Sequence, residues 1–534
     1  MFRWLTGSST SPPIFLKYRS SKTFIILTVS TAIFTDIFTY GIVVPVLPFA
    51  LTSRANVQPG SIQTWISIFL AVYGAALLCT APICGWLADR SSSRRLPLIL
   101  GLLALGGATV MLCVGNSIGM LAAGRVLQGI SAAVVWVVGL ALMVDTVGQD
   151  EVGQAMGYVG LSMSLAMLLA PLLGGVVFDA AGYYAVFAMA FGLIVVDVLL
   201  RVVLVEKKVA ARWDENGVWI GSEGEHREKA PDAGNRDSVG DVEMQTITEN
   251  QTDDQPATVE TEGARPNMDH SVSATSAPLA PSDSLRSAPP VVRRIVARLP
   301  PVVYLLGSRR LLSALFATVI QASLLTAFDS ILPLFVRDTF GWNSLGAGLI
   351  FLPIVVVSFL GPVVGYLSDR QGPRWYAIAG FVLACPFLIL LRLVTHNTLE
   401  QKVLLCALLA LIGTCLTLMI TPIMAEITYA VNAKAERRPA GFFGRNGAYA
   451  QAYSLFNMGF AAGTMFGPLL GGLVNQSQGW GTATLILGLV SGVTAIPVAI
   501  WTGGSVFKER RKRREEMERP EGQQPETSSI EAAS

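Results

Sequence analysis

Long apolar runs separated by short polar connections dominate the hydropathy pattern of the chain. A run of about 20 apolar residues crosses a hydrocarbon core about 30 Å thick as one helix. Six such runs precede the middle of the sequence, at residues 24–51, 62–87, 96–115, 119–144, 156–178 and 185–205. Six more follow it, at residues 311–336, 345–367, 375–394, 403–427, 448–474 and 482–501. The pattern predicts an all-α membrane protein with 12 transmembrane helices.

The segment between the two sets of runs has the opposite character. Residues 206–305 are rich in Asp, Glu, Ser, Thr, Pro and Gly. Such a composition buries too little apolar surface to offset the entropy lost on ordering. We therefore predict an N-terminal tail at 1–23, a six-helix bundle at 24–205, a disordered linker at 206–305, a second six-helix bundle at 306–503 and a C-terminal tail at 504–534.

Basic residues are distributed unevenly between the two sides of the predicted helices. The loops on the side of the linker and termini carry Arg90, Arg94, Arg95, Arg370, Arg374, Lys434, Arg437, Arg438 and Arg445, and the other loops carry Arg54, Arg337 and Lys402. Because basic loops stay in the cytosol, we expect both tails and the linker to be cytosolic. The pattern does not distinguish the plasma membrane from a vacuolar or vesicular membrane.

A short motif occurs once in each half. Gly-x-Leu-x-Asp-Arg follows the second run and the eighth run, with its outer positions at Gly85, Asp89, Arg90, Gly365, Asp369 and Arg370. A second pattern, Pro-Leu-Leu-Gly-Gly, occurs in the fifth and eleventh runs, with Pro171, Gly174, Gly175, Pro468, Gly471 and Gly472. Because six is an even number of crossings, equivalent helices run in the same direction. The sequence thus predicts two pseudo-symmetric bundles that arose by duplication.

With these motifs the chain resembles the major facilitator superfamily, over both halves. The run from Arg125 to Gly129, which includes Gln128, matches a pattern of proton-coupled members, and the Pro-Leu-Leu-Gly-Gly run is similar to the signature of the drug:proton antiporters. The resemblance implies the major facilitator fold and alternating access, with the Asp-Arg loops locking the outward-facing state. In the first Asp-Arg loop Ser92 stands where the family usually has glycine.

The first run is also similar to that of the vesicular monoamine transporters, from Asp36 to Pro48. In those proteins the equivalent aspartate contacts the amine. Acidic residues of their tenth and eleventh spans correspond to Thr417 and Asn457 here. Neither an amine substrate nor that mode of coupling therefore transfers directly, although Asn457 remains a candidate substrate-contacting residue.

Asp36 is the strongest candidate for chemistry, because a carboxylate at bilayer depth usually lines a water-filled path or binds a cation. It can hold a proton or a cationic substrate, but not comfortably both. The alternative is a structural carboxylate that accepts hydrogen bonds from Thr35 or Thr39. Arg125 either tunes such a proton site or braces the first bundle.

Other intramembrane charges have weaker functional interpretations. Asp329 is a second titrating group or lies near the outer mouth, and Glu426 is a solvated helix-end acid or a coupling residue. Asp197 and Arg201 are four residues apart and predict a structural ion pair. Two interpretations are open for aromatic residues such as Tyr73, Trp136 and Phe456. They line a substrate cavity, or they face lipid and the helix core.

The hypothesis that unites these residues is a secondary active transporter that exports lipophilic or cationic small molecules in exchange for protons. The alternatives are a sugar-like nutrient importer, or a transporter-like receptor that signals through the linker. No nucleotide-binding loop or metal-spaced His/Cys cluster stands out, so we expect no enzyme activity, cofactor or metal. The expected partners are a small molecule, protons and the bilayer but not nucleic acid, and we expect a monomer.

Overall fold

The computed structural model describes residues 13–55, 57–90, 94–147, 152–211, 213, 305–435 and 447–503. The predicted C-terminal tail and most of the predicted linker lie outside these ranges. The long segments are α1 Lys22–Gly41, α2 Ile62–Arg90, α3 Arg95–Val114, α4 Ile118–Val147, α5 Val152–Ala181, α6 Tyr183–Val203, α7 Arg309–Phe340, α8 at residues 344–371, α9 Pro373–Leu390, α10 Leu399–Ala435, α11 Gly447–Gln478 and α12 Trp480–Trp501. They follow the predicted order.

Within the described residues, 11 helical segments are long and apolar enough to cross a membrane. The remaining segment, α11, is long enough but interrupts its apolar surface with glycines and with polar residues such as Asn457 and Thr464. It packs against α2 on one side and α7 on the other. Neighbouring helices therefore cover much of a helix whose own surface is only weakly apolar.

Proline interrupts two of the predicted crossings. The first run is a helix that ends at Gly41, a turn at residues 42–46 that contains Pro45, and a short helix Leu47–Arg54. In α8, the helices Ser344–Leu349, Leu352–Val356 and Gly361–Gln371 are separated by irregular and 3₁₀ turns. Proline lies in the first turn of each of the last two helices. Because proline lacks the N–H that a helix interior needs, one apolar run becomes several helices.

Contacts between helix ends define two sides of the bundle. The terminal side holds the start of α1 and the end of α6, where Arg19 Nε donates to Val203 O at 2.5 Å. It also holds the start of α9 and the end of α12, where Arg374 donates to Thr502 O. The opposite side holds the start of α6, where Arg54 Nη2 donates to the Tyr184 hydroxyl at 2.9 Å.

The chain folds as two bundles, the N half (α1–α6) and the C half (α7–α12). The halves meet mainly through α2 against α11 and through α5 against α8. In the predicted duplication α2 corresponds to α8, and α5 corresponds to α11. The two contacts are therefore related by the internal pseudo-symmetry, which confirms the predicted paired-bundle fold.

Glycine allows α5 and α8 to approach closely. A Cβ atom on Gly348 would lie 3.3 Å from the Cα of Gly175 and 3.2 Å from the carbonyl carbon of Pro171. Ser344 Oγ adds a hydrogen bond to Gly175 O at 3.3 Å. The Pro-Leu-Leu-Gly-Gly segment of the N half is thus a packing surface for the C half.

A largely buried cluster of amides and hydroxyls, here called the polar latch, joins α2 to α7 and α11 near the opposite side. Its residues are Gln63, Ser67, Ser330 and Asn475. Gln63 Nε2 donates to Ser330 O at 3.0 Å and to Ser330 Oγ at 2.9 Å. Asn475 Nδ2 donates to Gln63 Oε1 at 3.1 Å, and Ser67 Oγ lies 2.9 Å from Ser330 Oγ. The latch satisfies polar groups that would be costly to leave unpaired in an apolar interior.

The other hydrogen bonds that join the halves in the described part of the chain lie mostly on the same side. Asn343 Nδ2 donates to Asp179 Oδ1 at 2.8 Å, Gln476 Nε2 to Gly60 O at 2.7 Å and Arg337 Nη1 to Pro48 O at 3.2 Å. One further bond, from the Tyr40 hydroxyl to Asp329, lies at mid-depth. This structure is therefore the arrangement that is closed on the opposite side.

The α5–α8 contact predicts that Gly348→Ala destabilises the protein. The added methyl group meets the backbone of Pro171, and overpacking of this kind typically costs about 1–3 kcal/mol. We expect a lower thermal midpoint in detergent, measured by tryptophan fluorescence. Gly192→Ala on α6 is the matched control, because nothing lies within 4 Å of a Cβ there. Equal midpoints for both variants would show that the contact does not limit stability.

The polar latch predicts that Gln63→Met favours the arrangement that is open on the opposite side. Methionine preserves shape but removes the latch hydrogen bonds, and a net loss of about 2 kcal/mol corresponds to roughly a 30-fold change in population ratio. Spin labels on cysteines introduced at the exposed positions Gln58 and Gln478 should report more long distances. The control is Gln401→Met, which removes bonds to the backbone N–H groups of Thr395 and His396 within the C half. A distance distribution identical to that of the unsubstituted protein would contradict the role of the latch.

Candidate functional site

A central cavity with about 750 Å³ of empty space lies between the halves. It extends from mid-depth toward the terminal side, and most of its wall is apolar or aromatic. Its lining residues come from both halves: Ile37, Tyr40, Tyr73, Leu77, Ala81, Trp136, Val137, Met163, Met167, Thr326, Asp329, Phe456, Asn457, Phe460 and Thr464. Of these described residues, Asp329 alone has an ionisable acid or base other than the tyrosine phenols.

Asp329 lies on α7, in the wall that the C half contributes. Its Oδ2 accepts a hydrogen bond from the Tyr40 hydroxyl on α1 at 3.1 Å. The bond joins the two halves at mid-depth, inside the cavity. The sequence left two roles open for Asp329. The structure places it, together with Asn457, among the residues that line the cavity.

Two residues of the N half contact the Tyr40 ring. Its ring centroid lies 4.7 Å from that of Tyr73 on α2. The guanidinium carbon of Arg125 on α4 lies 5.6 Å from the Tyr40 centroid, within the range of a cation–π interaction. These contacts orient the Tyr40 ring so that its hydroxyl reaches the C half.

Asp36 lies behind the cavity wall rather than in it. The residue is fully buried, and its Oδ2 accepts a hydrogen bond from Trp136 Nε1 at 3.2 Å. Its Oδ1 has no hydrogen-bond partner among the described residues. Trp136 and Tyr73, which adjoin Asp36, both line the cavity and screen the carboxylate from it. Asp36 is thus not among the residues that line the cavity, and two large aromatic residues that do line it lie beside the carboxylate.

The predicted structural alternative for Asp36 is not found either. The Thr39 hydroxyl donates to the backbone carbonyls of Thr35 and Asp36, not to the carboxylate. The Thr35 hydroxyl has no partner among the described residues. The carboxylate of Asp36 therefore interacts with the Trp136 indole and the Tyr73 phenol, while Oδ1 has no hydrogen-bond partner among the described residues, which leaves capacity for a proton.

Arg125 is also buried behind the wall. Its Nη1 donates to Gln128 Oε1 at 2.8 Å, whereas Nε and Nη2 have no hydrogen-bond partner in the described part of the chain. Gln128 is itself almost fully buried and does not line the cavity. Arg125 therefore places a guanidinium with two unused donors next to the Tyr40 ring.

Glu426 does not fit the expectation of a solvated helix-end acid. It is fully buried on the terminal side of the C half. Arg310 donates to both of its oxygens, and Gly503 N donates to Oε1 at 2.7 Å. The start of α7 and the residues just after α12 converge there on the last third of α10. The structure thus places Glu426 in a structural cluster away from the cavity.

The predicted ion pair on α6 is confirmed. Arg201 Nε and Nη2 donate to the two oxygens of Asp197 at 2.9 and 3.0 Å, and Arg201 Nη1 donates to Leu98 O at 2.5 Å. Both charges are buried and satisfied. This pair is therefore part of the scaffold.

The repeated glycines are packing positions. Gly174 faces Ile42, Gly471 faces Ala327, and Gly472 faces the polar latch, while Pro171 and Pro468 lie inside their helices. In the Asp-Arg motifs, Gly85 and Gly365 face Val137 and Thr421, and the exposed Arg370 lies 4.5 Å from the Tyr366 ring centroid. The side chains of Asp89, Arg90 and Asp369 lie outside the described residues.

Sequence reasoning missed Tyr40 and the polar latch. Tyr40 follows Asp36 by four residues and so lies on the same face of α1, which is a signal that could have selected it. The latch residues are an ordinary glutamine, two serines and an asparagine on three helices. Their sequence positions give no indication that they meet.

Comparisons with known proteins agree with this architecture. A family model described as Major Facilitator Superfamily matches residues 29–444 and 440–531. The chain is 33% identical to the uncharacterized MFS-type transporter C18.02 of Schizosaccharomyces pombe, over 89% of this chain and 95% of that protein. It is 31% identical to the MFS-type transporter ppzB of Metarhizium rileyi, over 91% and 96%. The match extends over nearly the full length of these relatives.

Shorter stretches match other transporters. These include the probable vesicular acetylcholine transporter-B of Danio rerio, 27% identical over 36% of this chain and 39% of that protein, and the class B tetracycline resistance protein of Escherichia coli, 29% identical over 26% and 34%. The crystal structure of the human organic anion transporter MFSD10 has a TM-score of 0.53 and 14% identity, over 89% of this chain and 99% of that one. At that identity the likeness concerns the fold alone. With the family match across both bundles, we conclude that the chain is a multi-pass membrane transporter that belongs to the major facilitator superfamily.

Proposed function

We propose that this transporter exports lipophilic monocations from the cytosol in exchange for protons. The observation that carries the proposal is Asp329, the single carboxylate among the described residues that line a mostly apolar and aromatic cavity. A carboxylate binds a cation by charge, and aromatic faces such as those of Tyr40 and Trp136 add cation–π attraction. The methionines Met163 and Met167 adapt to differently shaped apolar groups.

The proposed direction of transport follows from the distribution of basic loops. If the terminal side is cytosolic, a cavity that extends toward that side loads its substrate from the cytosol. Rocking of the halves then opens the polar latch and releases the substrate on the opposite side. The plasma membrane and a vacuolar or vesicular membrane both suit this direction.

Proton coupling is assigned to Asp36, as the buried acid with a free oxygen. Its position behind Trp136 and Tyr73 keeps it away from the substrate while leaving it within the same half as the cavity wall. A proton that enters from the opposite side neutralises a carboxylate that is costly to keep charged at this depth. The Asp36 proton and the cation at Asp329 then drive opposite steps of one cycle.

A sugar-like importer is less compatible with the cavity. Sugars need several amides, acids and hydroxyls for their many hydroxyl groups, whereas the polar lining residues besides Asp329 are mainly Thr326, Asn457 and Thr464 and the tyrosine hydroxyls. A receptor role depends on the linker, which lies largely outside the described residues. Export of a monocation is therefore the function that we retain.

The first prediction concerns Asp329→Asn in proteoliposomes with an imposed pH gradient. Loss of a charge-assisted contact should raise KM for tetraphenylphosphonium by about 10-fold to 100-fold. Transport of neutral triphenylphosphine oxide should change far less if it is carried at all. Asp338→Asn, on an exposed acid of the same helix, is the control. An unchanged KM in Asp329→Asn would remove the cation site from the proposal.

The second prediction concerns Asp36→Asn. Because asparagine carries no exchangeable acidic proton, accumulation of tetraphenylphosphonium driven by the pH gradient should be lost. Exchange of labelled for unlabelled tetraphenylphosphonium needs no net proton movement and should persist. Gradient-driven accumulation at the level of the unsubstituted protein would show that the proton is carried elsewhere.

A further inference from the structure

We infer that Tyr40 restrains the empty transporter, by tying the unoccupied carboxylate of Asp329 in the C half to α1 of the N half until a cargo cation takes its place. This inference rests on the proposed function, because it requires a cation to bind at Asp329. It adds a regulatory step at that site. A transporter that exchanges one ion for another must not change its access while empty.

The position of the bond supports this role. Among hydrogen bonds that join the halves in the described ranges, the bond from the Tyr40 hydroxyl to Asp329 Oδ2 is the one inside the cavity. The others, such as those of Gln63 and Arg337, lie toward the opposite side. Cargo in the cavity can therefore act directly on the Tyr40 bond but on none of the others.

The chemistry of the bond gives it the required dependence on occupancy. A phenol donates a stronger hydrogen bond to a charged carboxylate than to a neutralised one. An empty, charged Asp329 therefore holds the two halves together most strongly. A cation beside the carboxylate satisfies its charge and competes for its oxygens, so the bond weakens when cargo arrives.

The geometry of Tyr40 suits a fixed donor. Its ring lies close to Tyr73, at 4.7 Å between centroids, and to the guanidinium of Arg125, at 5.6 Å from its centroid. Both neighbours belong to the N half and are buried. Residues of the N half therefore position the hydroxyl, and Asp329 of the C half accepts its hydrogen bond. Tyr40 lies one residue before α1 ends at Gly41.

The test is Tyr40→Phe, which keeps the ring and its contacts but removes the donor. At high pH, where few protons are available to be exchanged, net downhill movement of tetraphenylphosphonium from the opposite side to the terminal side requires the empty transporter to reopen on the opposite side. In proteoliposomes this net movement should rise about 10-fold relative to exchange. The matched control is Tyr183→Phe, which removes a hydroxyl that donates to Leu112 O at 2.6 Å within the N half. The control should leave the ratio of this net movement to exchange unchanged.

A second measurement follows the conformation itself. Spin labels at Gln58→Cys and Gln478→Cys, in a protein without its six native cysteines, should report an opposite side that is more open in ligand-free Tyr40→Phe than in the ligand-free parent. Tetraphenylphosphonium should shift the parent toward the open arrangement and the variant much less. A raised KM in Tyr40→Phe, with an unchanged ligand-free distance distribution, would make Tyr40 a plain cargo contact and overturn the inference.

The outcomes separate this inference from the proposed function. If tetraphenylphosphonium does not bind, or binds equally well to Asp329→Asn, the proposed function fails. In that case no cation binds at Asp329 to weaken the Tyr40 bond. If binding depends on Asp329 while Tyr40→Phe keeps the parent's ratio of net movement to exchange, the proposed function stands and the restraint is disproved.

Discussion

The cost of a charge inside an apolar bundle governs the arrangement of this protein. Each buried charge must find partners or be able to lose its charge. Asp197 and Glu426 meet arginines that satisfy both of their oxygens, and they belong to the scaffold. Asp36 and Arg125 are only partly satisfied, and Asp329 has a phenol from the other half. The incompletely paired groups cluster around the cavity, which is where changes of charge can be used.

The contact between the halves combines two kinds of surface. Glycines at positions such as Gly175 and Gly348 bring backbones together without large interlocking side chains. Small residues pack closely but present little surface that must be pulled apart. The polar latch adds directional bonds that water can replace once the seam opens. An interface of this composition is stable in one arrangement yet separable, which alternating access requires.

Much of the fold could be predicted from the sequence, because apolar runs and repeated motifs are local signals. The order of the crossings, the duplication and the Asp197–Arg201 pair all depend on spacing within one helix or between equivalent helices. The breaks in the first apolar run and in α8 follow from prolines, which a scan of hydropathy does not take into account. The geometry of the candidate site was harder to predict, because it depends on the rotation of one helix against another. The sequence placed Asp36 at bilayer depth, but nothing in it indicated that Trp136 and Tyr73 would lie beside the carboxylate.

The weakly apolar surface of α11 bears on how the chain enters the bilayer during synthesis. A helix with Asn457, Thr464 and many glycines gains little from contact with lipid on its own. It is followed by the strongly apolar α12 after the single residue Gly479, whose φ of 82° turns the chain back. We therefore expect the translocation machinery to receive α11 and α12 as one helical hairpin. Lateral release of α11 would then depend on α2 and α7 having already been inserted to cover it.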